Sequence, residues 1–224
     1  MGTGELTAAS VRAALTAAAD EAERAKTAKR MTDDATSVLG VRMGTVFDIA
    51  QAHTAMDLDE VDRLLDSDAY EERMVAVSVL DFRARRPRVT TAEREALYEL
   101  WMRRLDRIDT WDYIDRSAPR VVGLFLLDRP RDVLFDLARS TDRWHRRTAI
   151  VAAYAIIRAG DLDDPLALAE ILAADPERLV QTALGVALRE IGRVDADRLR
   201  AFLDRRGADL LAEARRTART ALQD

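Results

Sequence analysis

The chain has no cysteine, two histidines and two lysines among its 224 residues. Without cysteine there is no disulfide, no thiol nucleophile and no thiolate-held zinc, and the composition suits a reducing compartment. His53 and His145 lie far apart in sequence. No imidazole pair falls at helical ligand spacing and no HExxH motif occurs, so neither a metal nor a cofactor is expected. The six serines lack a nucleophile-elbow context, and there is no P-loop or dinucleotide glycine motif. No apolar run approaches the roughly 18 residues of a membrane span. The alanine-rich N-terminus, interrupted by Glu5, Arg12, Asp20 and Glu21, shows no signal-peptide pattern. The expectation is a soluble, cytoplasmic protein with no membrane partner. Aromatic residues make up only 5% of the chain, so Trp101, Trp111 and Trp144 each carry information. Trp101 and Trp144 read as core.

What is present is helical. Apolar residues reach 48% and charged residues 33%, which suits amphipathic helices with solvated outer faces. Strand-like alternation is absent, while Val75, Val79, Leu80 and Phe82, then Leu97, Leu100, Trp101 and Leu105, follow helical spacing. Thr90 with Glu93 reads as a capping box and Asp68 with Glu71 as its carboxylate version. Asp164-Pro165 and Asp175-Pro176 read as N-caps before proline, and Gly160, Gly192 and Gly207 as helix stops. These signals predict helices over 5–28, 43–53, 58–66, 69–86, 91–105, 110–126, 131–139, 142–159, 165–173, 176–192, 195–205 and 208–222. About a dozen helices in antiparallel pairs, joined by short loops, predict an all-α fold of the α-solenoid kind. One domain over 1–224 is expected, with residues 1–30 as an N-terminal capping helix. A faint echo, Arg147-Thr-Ala-Ile-Val against Gln181-Thr-Ala-Leu-Gly, lies 34 residues apart.

The net charge of −5 argues against a nucleic-acid binder when taken globally. The charge is uneven, however. Residues 115–158 hold nine arginines against five aspartates, a local +4 that leaves −9 for the rest. This region also contains the most informative spacing. Trp111 and Asp115 stand at i and i+4, so on a helix an aromatic face and a carboxylate share one edge. The Arg146-Arg147 pair could close that edge into a cleft. An aromatic, an anion and a cation together can grip a cationic sugar or base beside a phosphate.

Thr110-Trp-Asp-Tyr-Ile-Asp-Arg-Ser-Ala-Pro-Arg-Val-Val-Gly123 resembles the central motif of the AlkD-like family of DNA alkylation repair glycosylases. Trp144-His-Arg-Arg-Thr-Ala-Ile-Val151, running on to Ile157-Arg-Ala-Gly-Asp161, resembles the family's next motif. Glu71-Glu-Arg-Met-Val-Ala76 and Ala187-Leu-Arg-Glu-Ile-Gly192 are similar to flanking patterns. The likeness spans roughly 33–222 and is most specific over 110–192. It implies a HEAT-like repeat superhelix that holds duplex DNA and excises cationic N3- and N7-alkylpurines without a cofactor. It further implies a monomer acting on alkylated DNA in the bacterial cytosol or nucleoid.

By the resemblance, the catalytic aspartate falls on Asp115, the sugar-facing tryptophan on Trp111 and the phosphate-side arginine on Arg147. Arg116, Arg120, Arg143 and Arg146 are secondary candidates for DNA-backbone contacts. Val186 stands where the best-known branch has a second cleft tryptophan. Gly44 replaces a proline, and Phe47 and Gln51 replace basic residues. Two alternatives stay open: a family member that binds DNA without excising bases, and an acidic helical-repeat scaffold for protein partners.

Overall fold

The computed structural model describes residues 6–29, 31 and 37–223. Among them are thirteen α-helices: α1 (Ala8–Ala17), α2 (Glu21–Ala28), α3 (Met43–Ala52), α4 (Leu58–Leu65), α5 (Tyr70–Ala84), α6 (Thr91–Arg103), α7 (Trp111–Ala118), α8 (Asp132–Ala138), α9 (Arg143–Arg158), α10 (Asp163–Leu172), α11 (Arg178–Val194), α12 (Ala196–Arg206) and α13 (Ala212–Arg219). The described residues form no sheet; a single parallel bridge joins Ser37 and Ala69. The fold is all-α and of the α–α repeat kind, as the periodicity predicts. The chain packs as two compact units, Met1–Ser117 and Ala118–Asp224.

The first unit is built round α5. Thirteen of its fifteen residues are buried, because α1, α3, α4 and α6 all pack on it. Apolar side chains such as Met74, Val75, Val79 and Leu80 fill that core. Burial on all sides also takes Glu71, Glu72, Arg73 and Asp81 out of water, and an unmatched buried charge is costly. Each has a partner. Glu72 meets Arg12 of α1 at 2.8 Å, Arg73 meets Asp109 at 2.7 Å, and Asp81 meets Arg85 at 2.9 Å and Arg116 at 3.2 Å.

Glu71 serves a different purpose from the capping role its spacing predicts. Its carboxylate turns inward and accepts the backbone N–H groups of Leu39 (2.9 Å), Gly40 (2.9 Å) and Val41 (3.2 Å). Here Gly40 is required: its φ is +87°, and an added Cβ would lie 2.3 Å from the Asp20 carbonyl oxygen. Asp68 does not cap α5: its carboxylate meets Arg107 at 3.1 Å, and the Tyr70 N–H goes to the Ser37 carbonyl at 2.8 Å.

The second unit carries the repeat. Helices α9, α11 and α13 pack side by side in one layer, and α8, α10 and α12 pair with them. The 34-residue echo has a structural meaning, since it places Arg147 of α9 and Gln181 of α11 at equivalent points. Gln181 donates to the carbonyls of Leu172 and Ala173 and accepts from the Leu211 N–H, tying its helix to the turns on either side. Ion pairs repeat at similar separations: Arg198–Asp163, Arg205–Glu170, Arg206–Glu170 and Arg178–Glu213.

Several helix ends differ from the expected ones. The predicted helix 5–28 is two helices, because Asp20 caps the Glu23 N–H and restarts the chain at Glu21; residue 5 lies outside the described residues. Helix α10 begins one residue before Asp164, which turns to Arg131 at 2.8 Å rather than capping. Gly160 does stop α9, with φ +86°. Gly192 is instead inside α11, where an added Cβ would meet Leu199 at 2.4 Å. The predicted helix 110–126 breaks at Pro119, which has no N–H to donate; the chain continues as one π-turn over Pro119–Gly123.

Glu71→Ala strands three backbone donors and should destabilise the protein by about 3 kcal/mol or more, lowering Tm by roughly 6–12 °C. Glu71→Gln, which keeps one acceptor oxygen, should fall between the two in thermal denaturation. A second expectation concerns acid. Burial pushes Glu170 up, but its bonds to Arg205 and Arg206 outweigh this and hold it below its ordinary 4.5. Asp161, bonded to Arg131, is likewise lowered. Carboxylates lowered in the folded state stabilise above their unfolded pKa and lose that contribution as pH falls through the folded value. The Tm gap between wild type and Glu170→Gln should therefore be constant from pH 7 to about 5.5 and shrink below about 4.5. A gap that persists or widens at pH 3 would contradict this assignment.

Candidate functional site

Helix α7 is short and two-sided. Tyr113, Ile114, Ser117 and Ala118 are buried, while Trp111 is exposed and Asp112, Asp115 and Arg116 are half-buried. The 3.6-residue period puts Trp111 and Asp115 on one edge, a turn apart. Trp111 is 37% exposed, whereas Trp101 and Trp144 are 0% and 9% exposed, which agrees with their reading as core. An indole left in solvent beside a carboxylate is what a cleft needs and a core does not.

The opposite side of α7 is held at both ends. Trp101 of α6 donates its Nε1–H to the Ser117 hydroxyl at 2.8 Å, and Ser117 donates to the Tyr113 carbonyl at 2.8 Å. At the start of the helix, the Tyr70 hydroxyl donates to Asp112 Oδ2 and Thr110 donates to Asp112 Oδ1 at 2.9 Å. The Tyr113 hydroxyl returns to the Tyr70 carbonyl at 2.8 Å, with the two rings stacked 5.4 Å apart. Arg73 lies 5.3 Å from the Tyr113 ring centroid and donates to Asp109 and to the Arg107 carbonyl. Burial pushes the Tyr113 hydroxyl well above its ordinary pKa, so it remains a neutral donor. Sequence reading passes over Tyr70, Thr110 and Asp112. Tyr70 is 42 residues from Asp112, and nothing local signals that the two meet.

Arg147 belongs to the second unit. It is buried in α9 and donates from Nη1 to the Leu179 carbonyl of α11. The structure thus brings Trp111 and Asp115 onto one helix edge and holds Arg147 in the repeat layer of the other unit.

The secondary arginines differ in how far they are engaged. Arg116 donates to the Ser78 hydroxyl at 3.1 Å, pairs with Asp81, and sits 4.4 Å from the Phe47 ring and 4.7 Å from the Phe82 ring. Phe47, which stands where a basic residue is expected, therefore covers a guanidinium. Arg146 pairs with Asp175 at 2.6 Å and also donates to the Ser140 and Thr141 carbonyls. Its bonds to Asp175 raise its pKa. Arg143 lies 4.6 Å from the Trp144 ring and only 3.8 Å from Glu177, with 39% of its side chain exposed. Arg120 is half-buried on the π-turn. Val186, at the position of the expected second tryptophan, is half-buried in α11.

No helix of the described residues is long and apolar enough to cross a membrane. No curated protein matches the sequence. Among solved structures, a predicted DNA alkylation repair enzyme from Enterococcus faecalis superposes with a TM-score of 0.69. The alignment covers 90% of this chain and 95% of that one at 14% identity, a likeness of fold. The sequence model of the DNA alkylation repair enzymes matches residues 11–222. With that match running over nearly its whole length, the chain belongs to the DNA alkylation repair enzyme family.

Proposed function

We propose that this protein is a monofunctional DNA glycosylase that removes cationic N3- and N7-alkylpurines from duplex DNA. The observation that carries the reading is the α7 edge: a solvent-exposed indole and a carboxylate one turn apart, on a helix anchored along its other side.

An N3- or N7-alkylated purine already bears a positive charge, so it leaves without protonation. The barrier lies in the sugar, which becomes oxocarbenium-like as the C1′–N bond breaks. Asp115 is the catalytic residue in this reading. Its carboxylate stabilises the charge on C1′ and orients a water, whose oxygen bonds to C1′ while its proton passes to the carboxylate and then to solvent. At ~4 Å and an effective dielectric of ~20 this attraction is ~4 kcal/mol, roughly a thousandfold in rate if realised only in the transition state. The Trp111 face against the sugar adds ~0.5–2 kcal/mol. By the resemblance, Arg147 is the phosphate-side arginine, a role that its planar fork suits. The scheme draws on no cofactor.

A second reading, a DNA-binding protein that does not excise bases, is favoured by Val186 in place of a tryptophan and by Phe47 turned onto Arg116. Both readings predict that duplex binding weakens as salt rises, because phosphate contacts release counterions. They part on chemistry. On methylated duplex DNA the wild-type protein should release 7-methylguanine. Asp115→Asn should lower the single-turnover rate by roughly a thousandfold with an unchanged helical CD spectrum. Salt-sensitive binding with no release by the wild type would favour the second reading. Equal release by both proteins would remove Asp115 from the mechanism.

A further inference from the structure

The α7 edge depends on where α7 points, and a clasp outside that edge sets this. Residues 107–113 are tied to the first turn of α5 by four side-chain hydrogen bonds: Tyr70 to Asp112, Tyr113 to the Tyr70 carbonyl, and Arg73 to both Asp109 and the Arg107 carbonyl; a fifth, Thr110 to Asp112, braces the segment itself. Both carboxylate oxygens of Asp112 are occupied. The link between Tyr70 and the pair Asp112–Tyr113 is reciprocal: the side chain of Tyr70 bonds to one member, and the side chain of the other bonds to the backbone of Tyr70.

We infer that Tyr70 and Asp112 are positioning residues for the excision reaction. Trp111 lies between Thr110 and Asp112, so the bonds on either side of it fix the rotation of the first turn. One residue of helical rotation is ~100°, so a modest slip turns the indole and Asp115 away from the direction in which they would meet a sugar. Ile114 and the Tyr113 ring are fully buried and stay in place when only the Tyr70–Asp112 bond is removed, so that bond is expected to act on direction. Asp112 stands beside Trp111 yet bonds toward α5, so it is not itself placed to meet the substrate.

This inference rests on the glycosylase reading, and its test separates the two. Tyr70→Phe keeps the stacked ring and removes only the hydroxyl. Asp112→Ala removes the acceptor, and Asp112→Asn retains one oxygen for Tyr70. On methylated duplex DNA, Tyr70→Phe and Asp112→Ala should each lower kcat by about 10- to 100-fold with KM unchanged within about twofold. The double variant should be no worse than either single one, and Asp112→Asn should recover part of the loss. Trp111 is the exposed indole of the three, so acrylamide quenching of tryptophan fluorescence reports its position without any chemistry. Quenching should change in Tyr70→Phe and Asp112→Ala alike. Wild-type kcat in Tyr70→Phe, losses that multiply in the double variant, or quenching identical to wild type would each overturn the inference. A wild-type protein that releases no base fails the glycosylase reading alone. The clasp is then decided by the quenching change alone, which should appear in both variants.

Discussion

Ionised side chains on a helix that water cannot reach are the constraint on which the first unit depends. Four charges enter the core on α5, and each is tolerable only if a partner arrives with good geometry. Glu72 draws in α1 through Arg12, and Glu71 gathers the backbone of 39–41. Arg73 and Asp81 reach toward the segment before α7 and toward α7 itself, through Asp109 and Arg116. One buried helix thus dictates where its neighbours run. The apolar residues between these charges supply most of the free energy of burial, but they would accept many arrangements. The charges accept few.

The same economy appears in the second unit in a repeated form. Arginines of α12 reach back about one repeat to carboxylates of α10, as in Arg198–Asp163 and Arg205–Glu170. Exposed pairs of this sort contribute little individually to stability. Their regularity marks the repeat more reliably than the sequence echo does, because ion pairs need only spacing and sign, whereas apolar positions drift in identity. Arg147 and Gln181 show how one repeat position is reused. Both reach from a buried helix to backbone groups of the next repeat or the adjoining turns, yet only the first carries a charge.

Departures from the family pattern also acquire physical content. Phe47 replaces a basic residue and covers Arg116, which is further held by Ser78 and Asp81. A cation that such a protein could direct to a phosphate is here engaged by an aromatic ring and a buried carboxylate. Arg143 is more exposed and more loosely paired than Arg116 or Arg146.

Periodicity was enough to determine the all-α class, the approximate helix count and the core identity of Trp101 and Trp144, because burial of one helix face leaves a 3.6-residue trace in any sequence. Motif spacing was enough to put Trp111 and Asp115 on one edge, since only local helix geometry is involved. Tertiary structure alone decided what the polar residues do. Glu71 and Asp164 look like caps but answer to Gly40 and Arg131, Gly192 looks like a stop but makes room for Leu199, and Asp112, which nothing local singles out, is held by Tyr70. The reason is one of range. Apolar burial is non-directional and writes its pattern locally, whereas a hydrogen bond or ion pair is directional and is chosen by whichever partner the completed fold brings within 3 Å or so.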